Sequence, residues 1–525
     1  MEPVRLLDLV LLLMAVAVVL ALVARRLGIP PAVAFVPGGM LLAVTPGVPA
    51  FELNPALSMT LFLPPLLQSS AYFTVWRDFR ANLRPILLLA VGAVAFTTVA
   101  IGWVMKLLRP DLPWAACFAL GAIVSPPDAV SANAVLERLR LPRRLVAILG
   151  GESLVNDASG LVMYRFAVAV AMGGAFDAAR ATASFVLIAA GGVAVGYATG
   201  FALVWLLRRL HDVNLGITMS FLAAWTSYLA AEAIGASGVL STVVCGLLLG
   251  WRQHEVFSAE ARIESLATWR FVTYALEALV FVLIGLSLRG VIERLGWHHL
   301  IQLLPLATAI TGAAVVARFV WVYPATYLPR LLWPPLRRRD PYPPLRLPLV
   351  IGWAGMRGVV SLAAALALPD GFPGRDAILV VTFVVILGTV VLQGPTLGPL
   401  IKALKFADPD APDAVPEDAA TRAALAGAQL KVIEGYLNDP LMSGIAGDMI
   451  QEYRERAKWL VRVPAGGAAL AERQGRHMLR QEAAAAARAE LLRRHRVGEI
   501  HEEVVRLLER ELDLEDLRFR QQRGV

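Results

Sequence analysis

The chain has 525 residues, is 57% hydrophobic and has a mean hydropathy of +0.63. Soluble domains are ~45–50% apolar, and the excess here lies in long runs, which excludes a large soluble core and reads as an integral membrane protein with a soluble tail. The net charge of +8 does not point to nucleic acid, because the arginines sit in short loops between apolar runs. Cys117 and Cys245 each lie inside an apolar run. That excludes a disulfide framework or a Cys-based metal site and predicts two buried thiols.

About thirteen runs are long enough to span a bilayer. In chain order they cover 5–24, 30–46, 55–75, 83–107, 113–136, 144–172, 182–207, 215–235, 237–253, 270–290, 299–330, 346–368 and 376–404. The first exceeds the ~7–15 residues of a signal-peptide core, and Glu2 and Asp8 dilute its basic flank, so it reads as a retained helix. The eighth and ninth are divided only by Gly235-Ala236-Ser237-Gly238.

Loop charge sets the orientation. Alternate loops carry Arg25 and Arg26; Arg77, Arg80 and Arg84; Arg138, Arg140, Arg143 and Arg144; Arg208 and Arg209; Arg252, Arg262 and Arg270; and Arg337, Arg338 and Arg339. The intervening loops are poorer in Arg and Lys, so the first set is expected in the cytoplasm, with the N-terminus outside and the C-terminus inside. These spans make a transmembrane domain over 1–404, followed by an acidic, Pro-rich linker over 405–420 and a cytoplasmic helical tail over 421–525. In the tail, Ile500, Val504, Leu507, Leu508 and Leu512 would line one helix face. That pattern suits self-association, regulation or simple packing of a folded appendage.

Charged groups within spans cost at least ~2.5–3.5 kcal/mol at a helix centre, so they mark paths, pairs or sites. The candidates are Asp128, Glu152, Asp157, Arg165, Glu232, Glu277, Arg318 and Arg357. In "SPPDAVSANAV", Pro126 and Pro127 break the fifth span and free its carbonyls, and Asp128 follows them. A carboxylate there either faces a cation or caps a kinked helix. In "GGESLVNDASGL", Ser153 and Asp157 share a helix face beside Asn156. Hydroxyl, carboxylate and freed carbonyls make a small hard-oxygen site, suited to an alkali cation. A buried Asp157 there holds either a proton or a cation, the two competing; a structural, paired Asp is the alternative. In "GWAGMRGVVSL", Gly352, Gly355 and Gly358 interrupt the twelfth span around Arg357. Gly-interrupted spans in both halves point to a transporter site. Arg357 needs a buried partner, for which Glu152 is the natural choice; Glu277 and Arg318 are a second candidate pair.

The segments "LPPLLQSSAYFTVWRDFRANLRPILLLAV", "SPPDAV", "LPRRLVAILGGESLVNDASGLVMYRFA" and "GWAGMRGVVSLAAALALP" are collinear with, and resemble, the monovalent cation/proton antiporter family, the bacterial sodium/proton exchangers with an Asn-Asp motif. The resemblance covers roughly the first 400 residues. It implies an all-α polytopic membrane protein of about thirteen transmembrane helices, with two inverted six-helix repeats and crossed broken helices near the midplane. It implies that Asp157 is the exchange carboxylate, that Asp128 and Ser153 help hold the Na+, that Asn156 supports the site, and that Glu152 and Arg357 form a bridge. It also implies a homodimer in the bacterial plasma membrane and alternating access by an elevator-like shift. Two departures bear on ion selectivity. Ser69 stands where many members carry Glu, and the family's Thr-Asp-Pro reads Pro127-Asp128-Ala129.

The sequence therefore reads as a secondary antiporter, not an enzyme, exchanging cytoplasmic Na+ for external H+. Asn156 in place of a second Asp resembles the electroneutral subgroup. No resident cofactor is expected, since the ions are cargo. Exchange of K+, or of mixed Na+, K+ and Li+, is the alternative within the class. A hydrolase with Ser153 as nucleophile lacks a base, because no His lies in the site, and no G-x-S-x-G or H-E-x-x-H is present. A gated channel would show flux without proton coupling.

Overall fold

The computed structural model describes residues 3–46, 55–128, 141–173, 178–210, 212–405, 416–439 and 442–461, with isolated positions between 479 and 512. Ala129, Arg138 and Arg140 lie outside the described residues, as do the tail positions Ile500, Val504 and Leu507 and most of the expected linker. The chain divides into two compact units, Met1–Ala407 and Asp408–Val525.

The described residues of the first unit are helices and turns, without strands. In chain order the helices are α1 (Pro3–Leu27), α2 (Pro31–Val44), α3 (Pro55–Tyr72), α4 (Trp76–Ala81), α5 (Leu83–Leu87), a π-helical segment Leu88–Ala93, α6 (Val94–Leu108), α7 (Trp114–Val124) and α8 (Arg143–Ala171). They continue as α9 (Ala178–Leu207), α10 (Val213–Ala233), α11 (Gly238–Val256), α12 (Ala259–Leu286), α13 (Leu288–Leu332), α14 (Pro334–Arg339), α15 (Arg346–Trp353), α16 (Val359–Leu366) and α17 (Arg375–Ala403).

Local chemistry sets the ends. Pro31 opens α2, where its missing N–H costs nothing. Asp212, Ser237 and Ser258 cap α10, α11 and α12 by accepting from Leu215, Leu240 and Ala261 N–H. Gly235, at φ +74°, makes the tight turn between α10 and α11 that the sequence leaves ill-defined. Gly296, at φ +73°, kinks α13. The π-helical segment displaces the carbonyl of Leu88, which accepts from Trp321 Nε1 at 2.9 Å.

Among the described residues, six helical stretches are long and apolar enough to cross a membrane: Val10–Leu27, Leu83–Leu108, Arg144–Ala171, Thr182–Leu207, Ala259–Leu332 and Arg375–Ala403. Leu22, Leu187, Phe201 and Trp103 are more than half exposed, the reverse of a water-soluble surface. Inside, small residues let backbones touch. Gly39 packs on the Val282 carbonyl, and Gly285 on that of Val36, which joins α2 to α12. Cys117 and Cys245 are buried free thiols.

In the second unit, α18 (Pro416–Glu434) and α19 (Ser443–Val461) are paired, with Arg454 bridging to Glu434 at 3.0 Å.

Candidate functional site

The candidate site is where the end of α7 meets the break between α15 and α16. α7 stops at Val124, before Pro126 and Pro127, and the chain leaves helical geometry through Asp128. α15 stops at Trp353, and α16 begins at Val359, leaving 354–358 as a break around Gly355 and Gly358. The two breaks touch: Asp128 N–H donates to the Met356 carbonyl at 2.6 Å. A Cβ on Gly358 would overlap the Asp128 carboxylate, so that carboxylate lies against the N-terminal end of α16, where the helix dipole favours negative charge.

Breaking a helix inside a membrane frees carbonyls that water cannot reach, and each needs a donor. Around these breaks the donors are identifiable. Ala122 O accepts from Ser125 Oγ at 3.3 Å, and Thr98 Oγ1 donates to Ser125 Oγ. Pro127 O accepts from Asn156 Nδ2 at 2.6 Å. Ile351 O accepts from Arg318 Nε at 3.1 Å. Gly355 O accepts from Arg357 Nη1 at 2.8 Å, while Arg357 N–H donates to Thr389 Oγ1 at 3.0 Å.

α8 crosses beside the breaks. Gly160 packs on Pro126, and the Asn156 amide reaches Pro127. Because Nδ2 must donate to that carbonyl, Asn156 Oδ1 is fixed as the other end of the amide, and it is buried without a hydrogen-bond donor among the described residues. Asp157 and Ser153, one turn apart on α8, are both partly buried. These contacts bring Pro126, Pro127, Asp128, Asn156 and Gly358 together, with Asp157 next to Asn156 on α8 and Gly355 and Arg357 in the facing break. Carboxylate and amide oxygens are hard donors of the type that suits a small cation.

The expected Glu152–Arg357 bridge is corrected. Glu152 Oε1 and Oε2 instead accept from Arg318 Nη1 and Nη2 at 2.7 and 2.9 Å. Arg318, read from the sequence as a candidate partner for Glu277, makes this contact with Glu152. The reason is geometric. Arg318 projects from the part of α13 that follows the Gly296 kink, past Gly355, where a Cβ would block its Cδ, and arrives as a bidentate fork. Arg357 sits within the break, where its guanidinium turns back on the Gly355 carbonyl; among the described residues it has no salt bridge, and its Nε is unpartnered. Arg165 and Glu232, also among the in-span charges, pair at 3.0 Å and join α8 to α10. Ser69 accepts from Thr273 Oγ1 at 3.0 Å.

Sequence reasoning missed Thr98 and Thr389. Each sits on a regular apolar helix with its hydroxyl also bonded within that helix, to Val94 O and Val385 O, so neither differs in pattern from a structural Thr.

Residues 12–403 match the model of the family "Sodium/hydrogen exchanger, transmembrane". The chain is 36% identical over 484 residues to a Bacillus pumilus protein named sodium, potassium, lithium and rubidium/H(+) antiporter, covering 86% of this chain and 70% of that one. It is 30% identical over 368 residues to the low-affinity Na(+)/H(+) antiporter NhaS1 of Synechocystis, covering 70% of this chain and 68% of that one. Its fold is similar to that of the sodium proton antiporter MjNhaP1 from Methanocaldococcus jannaschii, with a TM-score of 0.61 at 18% identity over 77% of this chain and 99% of that one. With a match across three-quarters of its length and relatives named as antiporters, the chain belongs to the sodium/hydrogen exchanger family, multi-pass membrane antiporters and not enzymes.

Proposed function

We propose that this protein exchanges cytoplasmic Na+ for external H+ at Asp157 by alternating access, one ion for one proton. The observation that carries the reading is the crossing itself. Asn156 ties α8 to Pro127, the residue before Asp128, and Asp157 follows Asn156 on α8. A proton on Asp157 cancels the charge that would hold Na+, so each expels the other, and the inward proton gradient drives Na+ out. Ser153 on the same helix face completes the oxygen set. Asn156 cannot titrate, which favours electroneutral exchange. On this reading the chain crosses a bacterial plasma membrane about thirteen times as two inverted repeats, N-terminus outside, tail inside, and works as a homodimer.

A second reading, exchange of K+, Li+ or Rb+ as well, is favoured by the name of the Bacillus pumilus relative. Proteoliposomes with an imposed pH gradient, followed by dye quenching on addition of Li+, Na+, K+ or Rb+ in turn, distinguish the two. Rates should be equal across potentials set by an ionophore. A pH gradient that survives every cation defeats the antiport reading, and current without proton movement would make the protein a channel.

A further inference from the structure

Away from the crossing, Arg84 at the start of α5, Arg144 at the start of α8 and Arg330 near the end of α13 converge on one acid, Asp340. The N–O distances are 2.7, 2.8 and 2.7 Å. Three guanidiniums on one carboxylate leave two positive charges uncompensated, and among the described residues these arginines have no other acidic partner. Arg84 Nη1 and Arg144 Nε are buried inside the node and lack hydrogen-bond partners among the described residues. Both side chains keep about a third of their surface open, at 32% and 39%, so the surplus charge reaches the exterior.

The surroundings say what would cover it. α14, immediately before Asp340, exposes Arg337, Arg338 and Arg339. The next turn on each side is apolar and open, with Leu332 72%, Trp333 65% and Leu345 69% exposed. Arg337 lies over the Tyr342 ring, 5.1 Å from its centroid. A soluble anion would need only the charge. A surface that sets a cationic cluster beside open leucines and an interfacial tryptophan matches a ligand with an anionic head and an acyl tail.

We propose that the Asp340 node and α14 form a binding site for the phosphate headgroup of an anionic phospholipid of the cytoplasmic leaflet. The choice of leaflet rests on the orientation given under Proposed function; the binding does not depend on which ion is transported. The internal carboxylate holds the three arginines together against their own repulsion, and the headgroup phosphate supplies the missing negative charge. Since the node joins the starts of α5 and α8 to the end of α13, the lipid would brace the helices that carry Asp157 and Arg318.

The test uses the full-length purified protein equilibrated with equimolar phosphatidylglycerol and phosphatidylcholine, counting retained lipids by native mass spectrometry. The wild type is expected to keep several-fold more phosphatidylglycerol. The variant R337Q/R338Q/R339Q, which alters exposed side chains and leaves the Asp340 node in place, is expected to keep the two nearly equally. Equal retention by the wild type, or an unchanged preference in the variant, overturns the proposal. Inorganic phosphate is the second arm. Phosphatidylglycerol should raise the melting temperature and millimolar phosphate should not; an equal rise with phosphate replaces the lipid by a soluble anion and overturns the assignment.

Discussion

Arg318 holds Glu152 through two parallel hydrogen bonds, and both side chains are almost fully buried, at 3% and 2% exposure. An exposed pair of this kind would contribute ~0–1 kcal/mol. Here, removing one partner strands a charge in the membrane interior. Glu152→Gln or Arg318→Gln is expected to cost about 3–5 kcal/mol, and the double variant much less than the sum. Thermal unfolding of the three purified variants checks this. Rescue of Glu152→Gln by Arg357→Gln, and not by Arg318→Gln, would show the pairing to be wrong.

Gly358 marks how closely the breaks approach. A Cβ there meets the Asp128 carboxylate, whose own backbone N–H is tethered to Met356 O. Gly358→Ala should therefore displace the carboxylate while leaving the bundle folded. Misplacing a reacting group by ~1 Å costs on the order of 100-fold, so exchange should fall by about ten- to a hundred-fold with little change in melting temperature. Gly150→Ala on α8, with open space at its Cβ, is the neutral control. Normal transport by Gly358→Ala would remove Asp128 from the site.

Asn156 does two things that substitutions separate. Asn156→Ala leaves the buried Pro127 carbonyl without its donor and should cost about 1–3 kcal/mol. Asn156→Asp loses the same donor and adds a titrating acid next to Asp157, so its residual exchange should depend on membrane potential, where wild-type exchange is expected to be independent of it. Fluxes at several potentials set by an ionophore make the comparison, and potential-independent exchange by Asn156→Asp would count against charge counting at this residue.

The Asp340 node gives a pH dependence of stability. Burial alone would push the Asp340 carboxyl up, but Arg144, Arg330 and Arg84 outweigh it and hold it below the usual carboxylate range. A folded-state value below the unfolded one, ~3.9, means that the stabilisation is complete above that pH and is lost as pH falls through the folded value. Asp340→Asn should thus melt below wild type at pH 7, with the gap closing as pH falls below the unfolded carboxylate value and through the lower folded one. A gap that widens on acidification would contradict the sign.

The helices and their breaks were legible because the membrane makes them so. Apolar runs mark α1, α9 and α17, Pro126 and Pro127 end α7, and Gly355 and Gly358 open the α15–α16 break. Burying a charge is costly, so the in-span list already contained both Glu152 and Arg318. What the list lacked was the pairing. The choice between Arg318 and Arg357 depends on which guanidinium can pass Gly355 and reach across 166 positions, a fact of packing and not of pattern. The π-helical segment at Leu88–Ala93 and the hydroxyls of Thr98 and Thr389 were silent for the same reason: each takes its meaning from a partner on another helix.

The account depends on Asp157 being occupied by a proton or an alkali ion, one at a time. The most direct measurement is proton release from purified protein in weakly buffered detergent solution on addition of Na+, wild type against Asp157→Asn. Wild type should release about one proton per Na+ bound, with release suppressed at low pH, where protons win the competition, and Asp157→Asn should release none. Na+ binding without proton release in the wild type, or undiminished release from Asp157→Asn, would contradict it.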